Sequence, residues 1–138
     1  MTNPMRISLK AGERLYVNGA VLRANQKTTI ELLNEANFLL EAHVLQPEDA
    51  NTPLRQLYFA LQTLFFEPAS TTARDAYERM FEAASLNFST TDVVVGLRLV
   101  GKLTEAGRLF EALKTIRGLF PVEDSILGSA QNVEAQVA

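Results

Sequence analysis

The side chains that could perform catalysis are few and do not form a recognisable set. His43 is the single histidine and the chain contains no cysteine, so there is neither a second histidine for a metal site nor a thiol nucleophile. Glu48 and Asp49 are adjacent carboxylates, but they lie at a predicted helix start, where acidic residues complement the helix dipole. The glycines do not have the spacing of a phosphate-binding loop. We therefore predict that the protein is not an enzyme and uses no cofactor or metal.

The residues best suited to binding are basic and lie near the start of the chain. The whole sequence carries a net charge of −3, yet residues 1–30 hold five Lys and Arg residues against Glu13 alone, a local balance of +4. A basic end on an acidic body can bind a polyanion through one face. Tyr16 lies within this region and could stack on a nucleobase or pack against a cross-strand neighbour. The candidate phosphate contacts here are Lys10, Arg14, Arg23 and Lys27.

Asn18-Gly19 predicts a tight β-hairpin within the basic region. It separates two apolar runs, residues 15–17 and 20–22, and a two-residue type I′ turn needs the positive φ angles that Asn and Gly tolerate. In this register Arg14 and Arg23 lie directly opposite each other. Two like charges held so close repel, so the pair is easier to understand if an anion binds there.

The apolar pattern divides the chain into a β-rich part and a helical part. Alternation and β-branched residues predict further strands at residues 7–9, 28–33 and 38–45, the last of which contains His43. Four or five such antiparallel strands would form a small sheet or half-barrel. After residue 46 the apolar period becomes helical. We predict an α+β protein of one domain, with a β-rich half at 1–46, a four-helix half at 47–128 and a frayed tail at 129–138.

Residues 51–68 are predicted to form the central helix of the helical half. Thr52 followed by Pro53 is typical of a helix start, and Pro68 marks the end. The apolar stripe of this helix consists of Leu54, Leu57, Tyr58, Leu61, Leu64 and Phe65. Three further helices are expected near residues 73–84, 92–103 and 109–117, with Pro121 beyond the end of the last.

The bulk composition is that of a globular protein. The 138 residues are 47% hydrophobic and 21% charged, which is enough for one domain with a substantial core. No apolar run approaches the ~18 residues of a membrane span, and the first residues lack the apolar segment of a signal peptide. The absence of cysteine is compatible with the cytoplasm. We expect a cytoplasmic protein without a membrane segment.

Three sequence blocks resemble the FlbT family of small bacterial proteins. They are LKAGERLYVNGAVLR (residues 9–23), LQPEDANTPLRQLYFALQTLFFEP (residues 45–68) and EALKTIRGLF (residues 111–120). The resemblance runs in order from about Ile7 to Phe120. It implies regulation of flagellin expression after transcription. A FlbT protein would associate with the 5′ untranslated region of flagellin mRNA, repress its translation and promote its decay, although in some bacteria the effect is activating.

The resemblance also implies partners and contact residues. The expected partner is the flagellin mRNA leader. A second small flagellar protein, FlaF, would work with or against the FlbT protein. The residues that we expect at the RNA are Lys10, Arg14, Tyr16, Arg23 and Lys27 in the hairpin region, together with Arg55 in the second block.

A protein-interaction module is the alternative hypothesis. Phe59 and Phe66 lie off the apolar stripe of the central helix, and the chain beyond residue 30 is acidic. If a helix face stays exposed, a helix of flagellin or of a FlaF-type protein could dock there, and any effect on RNA would be indirect. The same apolar excess could instead close a homo-oligomer.

Overall fold

The computed structural model describes the backbone of residues 5–137 and the side chains of residues 5–128. The chain divides into two compact units, Met1–Val44 and Leu45–Ala138, which we call the strand unit and the helical unit. Within the described residues, the β-strands lie in the strand unit and the α-helices lie in the helical unit. The predicted α+β class is confirmed, whereas the expectation of one domain stays a prediction.

The strand unit contains two small antiparallel sheets. Its strands are β1 (Met5–Leu9), β2 (Arg14–Val17), β3 (Ala20–Arg23), β4 (Thr28–Leu32) and β5 (Phe38–Leu40). One sheet pairs β1 with β4, and the other has the order β3-β2-β5. The expected antiparallel half is therefore present as two short sheets.

Alternating side chains from both sheets form the core of the strand unit. Ile7 and Leu9 of β1 and Leu15 of β2 are buried. Ala24, Val17, Ile30, Leu32, Phe38 and Leu40 complete this cluster. Because successive side chains of a strand point to opposite faces, Arg14 and Tyr16 lie on the face of β2 that is turned away from this core.

The Asn18-Gly19 hairpin is confirmed in the predicted register. Asn18 and Gly19 have φ angles of 48° and 87°, the left-handed values that a type I′ turn requires. Val17 pairs with Ala20 across the turn, and the same register brings Arg14 opposite Arg23. The turn residues therefore determine which side chains of both strands share a face.

The strand predicted at residues 38–45 is wrong beyond Leu40. β5 ends there, and residues Glu41–His43 form a 3₁₀ helix, so His43 is not a strand residue. The Arg14 N–H, which would continue the ladder between β2 and β5, donates instead to the Glu41 carboxylate at 3.3 Å. Because β2 begins at Arg14, it offers β5 no further residues to pair with, and the chain leaves the sheet after Leu40.

The helical unit contains the four predicted helices and continues into another one. They are α1 (Pro53–Phe66), α2 (Thr71–Asn87), α3 (Thr91–Glu105), α4 (Leu109–Gly118) and α5 (Phe120–Val137). The Thr52 side chain caps α1 by accepting the Arg55 N–H, as the sequence predicted. The side chain of Ser70 caps α2 in the same way by accepting the Ala73 N–H.

Pro121 lies beyond the end of α4, as the sequence predicted, but a further helix that the sequence did not predict begins beside it. Pro121 is the second residue of α5, where a missing N–H costs nothing because the first N–H groups of a helix have no intrahelical partner. The backbone is helical to Val137. The frayed tail expected at 129–138 falls on residues whose side chains lie outside the described part of the chain.

The apolar stripe of α1 forms the centre of the helical unit. All six of its members, Leu54, Leu57, Tyr58, Leu61, Leu64 and Phe65, are buried. α1 packs against α2, α4 and α5, and α3 packs against α4. Gln62 is buried on the same helix. Its side-chain amide accepts the Leu45 N–H at 2.8 Å and donates to the Leu45 carbonyl at 3.0 Å, so the segment before α1 is held to the helix.

A buried carboxylate joins the starts of α1 and α5. Glu123 has no exposed surface. It accepts the Thr52 hydroxyl, the Leu54 N–H at 2.7 Å and an Arg55 N–H at 3.3 Å. These donors lie at the N-terminus of α1, where the helix dipole also favours negative charge. We call Glu123, Thr52, the Leu54 N–H and Arg55 the Glu123 cluster.

Every α-helix within the described residues is too short or too polar to span a bilayer.

Replacing Glu123 with alanine should destabilise the helical unit strongly. The change leaves the Leu54 N–H and the Thr52 hydroxyl without their acceptor, and it removes the buried carboxylate that pairs with Arg55. Together these losses should cost about 3 kcal/mol of unfolding free energy. Urea unfolding followed by circular dichroism measures the loss. Glu111→Ala is the matched control, because Glu111 pairs with Arg108 at the surface and such a pair contributes about 1 kcal/mol or less. Equal losses in both variants would contradict the role of the cluster.

Candidate nucleic-acid interface

The strand unit brings four basic residues to one of its ends. Arg14 and Arg23 form the last residue pair of the β2–β3 hairpin. Leu9 and Thr28 form the last pair between β1 and β4, so Lys10 and Lys27 are the next residues beyond that pair. We call Lys10, Arg14, Arg23 and Lys27 the basic end.

Backbone hydrogen bonds hold the two halves of the basic end side by side. The segments 10–13 and 24–27 connect the sheets in opposite directions. The Gly12 N–H donates to the Ala24 carbonyl at 2.6 Å, and the Ala24 N–H donates to the Glu13 carbonyl at 3.0 Å. Gly12 has a φ of 82°, which an L-amino acid with a side chain rarely adopts. The backbone conformation at Gly12 therefore helps to bring segments 10–13 and 24–27 within hydrogen-bonding distance of each other.

Arg14 and Arg23 are close, exposed and on one face. Directly opposed residues of an antiparallel pair have Cβ atoms about 4.5–5.5 Å apart. Both side chains are exposed, and they lie on the face away from buried Leu15. Within the described residues, no ion pair involves a residue of the basic end. Arg6 differs, because it pairs with Glu31 at 3.3 Å on the neighbouring ribbon.

Two carboxylates lie near the basic end, and both accept main-chain hydrogen bonds. Glu13 accepts the Lys10 N–H at 2.9 Å, and Glu41 accepts the Arg14 N–H at 3.3 Å. They fix the backbone beneath the basic side chains and reduce the local excess from four positive charges to two. Four cations and two carboxylates, each of which already accepts a backbone N–H, give a net positive surface. Such a surface stabilises a bound anion.

Tyr16 lies two residues from Arg14 on the same face of β2. It is half-buried, and its cross-strand neighbours are Val21 on β3 and Leu39 on β5. Leu39 is buried while Val21 is exposed. The open part of this face is therefore on the β3 side, around Arg14, Arg23 and Val21. Stacking of Tyr16 on a base stays a prediction.

Arg55 lies in the helical unit and is engaged there. Its guanidinium donates to Glu123 at 3.3 Å and to both carboxylate oxygens of Asp124 at 2.8 and 3.1 Å, and it lies 4.5 Å from the centre of the Phe120 ring. The hydrogen bond to Asp124 raises the pKa of Arg55 and lowers the pKa of Asp124. A contact of Arg55 with RNA stays a prediction.

The lowered pKa of Asp124 makes this ion pair sensitive to acid. An unfolded aspartate titrates near pH about 3.9. The stabilisation from the pair is therefore present above that value, and it is lost as the pH falls through the lower pKa of the folded state.

Sequence reasoning identified the basic residues but missed three features of the site. These are the contact between Gly12 and Ala24, the Glu41 carboxylate beneath Arg14, and the ion pairs of Arg55. Glu13, which follows Lys10 by three residues and caps it, was a usable signal of a tight connection. The partners of Arg55 are 68 and 69 residues away, and no local pattern reveals them.

Comparison with known proteins assigns the chain to a family. The family model described as "Flagellar protein FlbT" matches residues 5–127. The chain belongs to the FlbT family. The basic end and the Glu123 cluster both lie within the matched residues. The recognition of this family from the three sequence blocks is thereby confirmed.

Curated relatives of this FlbT-family chain come from several Brucella species. Proteins named "Probable flagellum biosynthesis repressor protein FlbT" are 51% identical over 125 residues in Brucella anthropi and over 126 residues in Brucella ovis and Brucella suis. The matches cover 90–91% of this chain and 82–83% of the relatives. No solved structure matches the chain.

Reversing one charge of the basic end should stabilise the strand unit. Arg23→Glu places a carboxylate opposite Arg14 and converts a repulsive cross-strand pair into an attractive one, a gain of about 0.2–1 kcal/mol in unfolding free energy. Arg6→Glu is the matched control, because it places two carboxylates opposite each other at the Arg6–Glu31 pair and should destabilise by a similar amount. Urea unfolding at low salt measures both changes. A loss of stability in Arg23→Glu would show that the arginine pair is already compensated within the protein.

Proposed function

We propose that this protein is a post-transcriptional repressor in flagellum biogenesis that associates with the 5′ untranslated region of flagellin mRNA. The association would block translation of the message or promote its decay. Membership of the FlbT family and the printed names of the Brucella relatives support the repressor role. The basic end supports RNA as the molecule bound.

The observation that carries the RNA proposal is the position of four cations at one end of a small sheet structure. Lys10, Arg14, Arg23 and Lys27 reach this end from two different strand pairs. Arginine binds phosphate oxygens through its planar fork of N–H donors. The repulsion between Arg14 and Arg23 lowers the stability of the free hairpin and is relieved when a phosphate binds between them. The pair is thus better matched to an RNA backbone than to water.

The charges of the two units restrict where RNA can bind. The strand unit, residues 1–44, carries five basic and four acidic residues, and the remaining residues carry eight basic and twelve acidic residues. A polyanion is therefore repelled by the helical unit and attracted to the basic end. Sequence-specific RNA binding usually uses unpaired loop bases, which can reach side chains and strand edges. The phosphates would bind the basic end, and Tyr16 would contact a base.

The first test is a titration of the purified chain with a flagellin mRNA leader at two salt concentrations. Each phosphate contact on single-stranded RNA lowers the slope of log K against log salt by about 0.7, so four contacts predict a slope of about −3. Arg14→Ala should weaken binding and make the slope shallower by about 0.7. A scrambled RNA of equal length tests selectivity for the leader.

Arg6→Ala is the control for this titration. It removes the same charge from an exposed arginine that is paired with Glu31 and lies outside the basic end. It should change neither the affinity nor the slope by as much as Arg14→Ala. If the leader binds no better than the scrambled RNA, or if both variants lose the same affinity, the basic end is not a specific RNA site.

An apolar groove in the helical unit favours the alternative function. A cavity of about 330 Å³ between α1 and α2 has an almost entirely apolar lining surface. Its lining residues are Ala50, Gln56, Phe59, Ala60, Thr63, Ala73, Ala76 and Met80. The predicted position of Phe59 off the buried stripe is confirmed, because this side chain is only half-buried. Small alanines on both helices would let an apolar partner helix approach closely, and flagellin or a FlaF-type protein is the partner that we propose for this second function.

Met80→Glu distinguishes the two functions. A carboxylate in the groove should abolish co-purification of a flagellar protein partner and leave RNA affinity unchanged, because Met80 is not part of the basic end. Leu86→Glu is the matched control on the same helix, where Leu86 is 80% exposed and does not line the groove. The measurement is affinity purification after nuclease treatment. If no flagellar partner co-purifies with the unmodified chain, the interaction-module function is wrong.

A further inference from the structure

Strand β3 has an open edge. It is an outer strand of the sheet β3-β2-β5, and all of its residues are exposed. The apolar residues Val21 and Leu22 are 57% and 50% exposed to solvent. Natural sheet edges are usually protected by charges, proline or a bulge. Here the only charge is on Arg23, the last residue of the strand.

The hairpin register determines which backbone groups of β3 point outward. Residues of an antiparallel strand direct their N–H and C=O groups alternately toward one neighbour and the other. The Ala24 N–H donates to the Glu13 carbonyl of the adjoining segment. Leu22, two residues earlier, therefore points its backbone groups toward β2, and those of Val21 and Arg23 point away. Among the described residues, no further strand pairs with this edge.

We propose that β3 pairs antiparallel with β3 of a second copy of this chain, about a two-fold axis at Leu22. In this register Val21 of each copy lies opposite Arg23 of the other, and the two residues exchange N–H to C=O hydrogen bonds. The outward backbone groups of both residues are then paired in both copies. A shift by two residues would place one of them opposite a residue outside the strand, so the strand length selects this register.

The side chains of β3 also fit a second copy of the same strand. Leu22 meets Leu22 of the second copy as a pair without backbone hydrogen bonds, the arrangement in which the Cα atoms are closest, at about 4.5 Å. Both half-exposed leucines become buried beside the core that contains Leu15. A two-fold contact must be self-complementary, and an apolar centre flanked by matched donors and acceptors satisfies that requirement. Each pair of chains forms one sheet with six strands.

The pairing also doubles the basic end, a consequence that rests on the proposed function. Arg14 and Arg23 lie on the same face as Val21. In the six-stranded sheet, the two arginines of each copy meet at the centre of one face. Their mutual repulsion opposes association, and a polyanion across the face removes it. RNA and dimerisation therefore favour each other, because coupling between two binding equilibria is reciprocal.

Cysteine cross-linking tests the pairing directly, because the chain has no cysteine of its own. Leu22→Cys places two thiols at a separation that suits a disulfide, whose Cβ atoms are about 3.8 Å apart. Val21→Cys is the matched control: its exposure is similar, but its Cβ lies diagonally from its counterpart at about 7–8 Å. Mild oxidation should give several-fold more covalent dimer with Leu22→Cys than with Val21→Cys. Adding the flagellin leader RNA should increase that yield.

The outcomes separate this proposal from the proposed function. Equal cross-linking of the two variants, or none in either while circular dichroism shows the native fold, would overturn the pairing. Leader RNA bound by single chains in sedimentation, without cross-linking of Leu22→Cys, would overturn the pairing and leave the RNA function intact. Selective cross-linking of Leu22→Cys without leader binding would support the pairing and contradict the RNA function.

Discussion

The register of the β2–β3 hairpin is the constraint on which the strand unit depends. Asn18 and Gly19 adopt positive φ angles of 48° and 87°, and this turn fixes every pair up to Arg14 and Arg23. Because side chains alternate along a strand, a slip of one residue would move Leu15 out of the core and Arg14 into it. The same two turn residues therefore determine the apolar core, the arginine pair and the backbone groups at the β3 edge.

The helical unit depends on buried polar groups that are all paired. Glu123 is a carboxylate without exposed surface, yet the Thr52 hydroxyl and two N–H groups surround it. Gln62 is similarly satisfied by the backbone of Leu45. Among the described side chains, no buried nitrogen or oxygen lacks a hydrogen-bond partner. Such groups add less stability than apolar contacts of equal size, but each one penalises any arrangement in which its partner is absent.

Local signals were sufficient for part of this fold. The Asn18-Gly19 turn, the Thr52 cap and the buried stripe of α1 are properties of a few consecutive residues, and all were predictable. The end of β5 and the presence of α5 were not, because a strand extends only as far as its partner and proline suits a helix start as well as a helix end. For the site, the pair Arg14–Arg23 followed from the turn. The position of Lys10 and Lys27 near the arginine pair depends on the pairing of β1 with β4, which connects residues far apart in sequence.

The unfavourable pairing of Arg14 with Arg23 is the structural feature that bears most directly on function. Within a stable hairpin, two like charges opposite each other are unfavourable, and a threonine pair at these positions would suit the free strands better. The neighbouring ribbon shows the usual solution, with Arg6 opposite Glu31 at 3.3 Å. The strand unit thus compensates one arginine and leaves two adjacent ones without an acidic partner among the described residues. An arrangement that lowers stability in the free protein is expected where a ligand supplies the missing charge, and for two exposed guanidinium groups we propose a phosphate as that ligand.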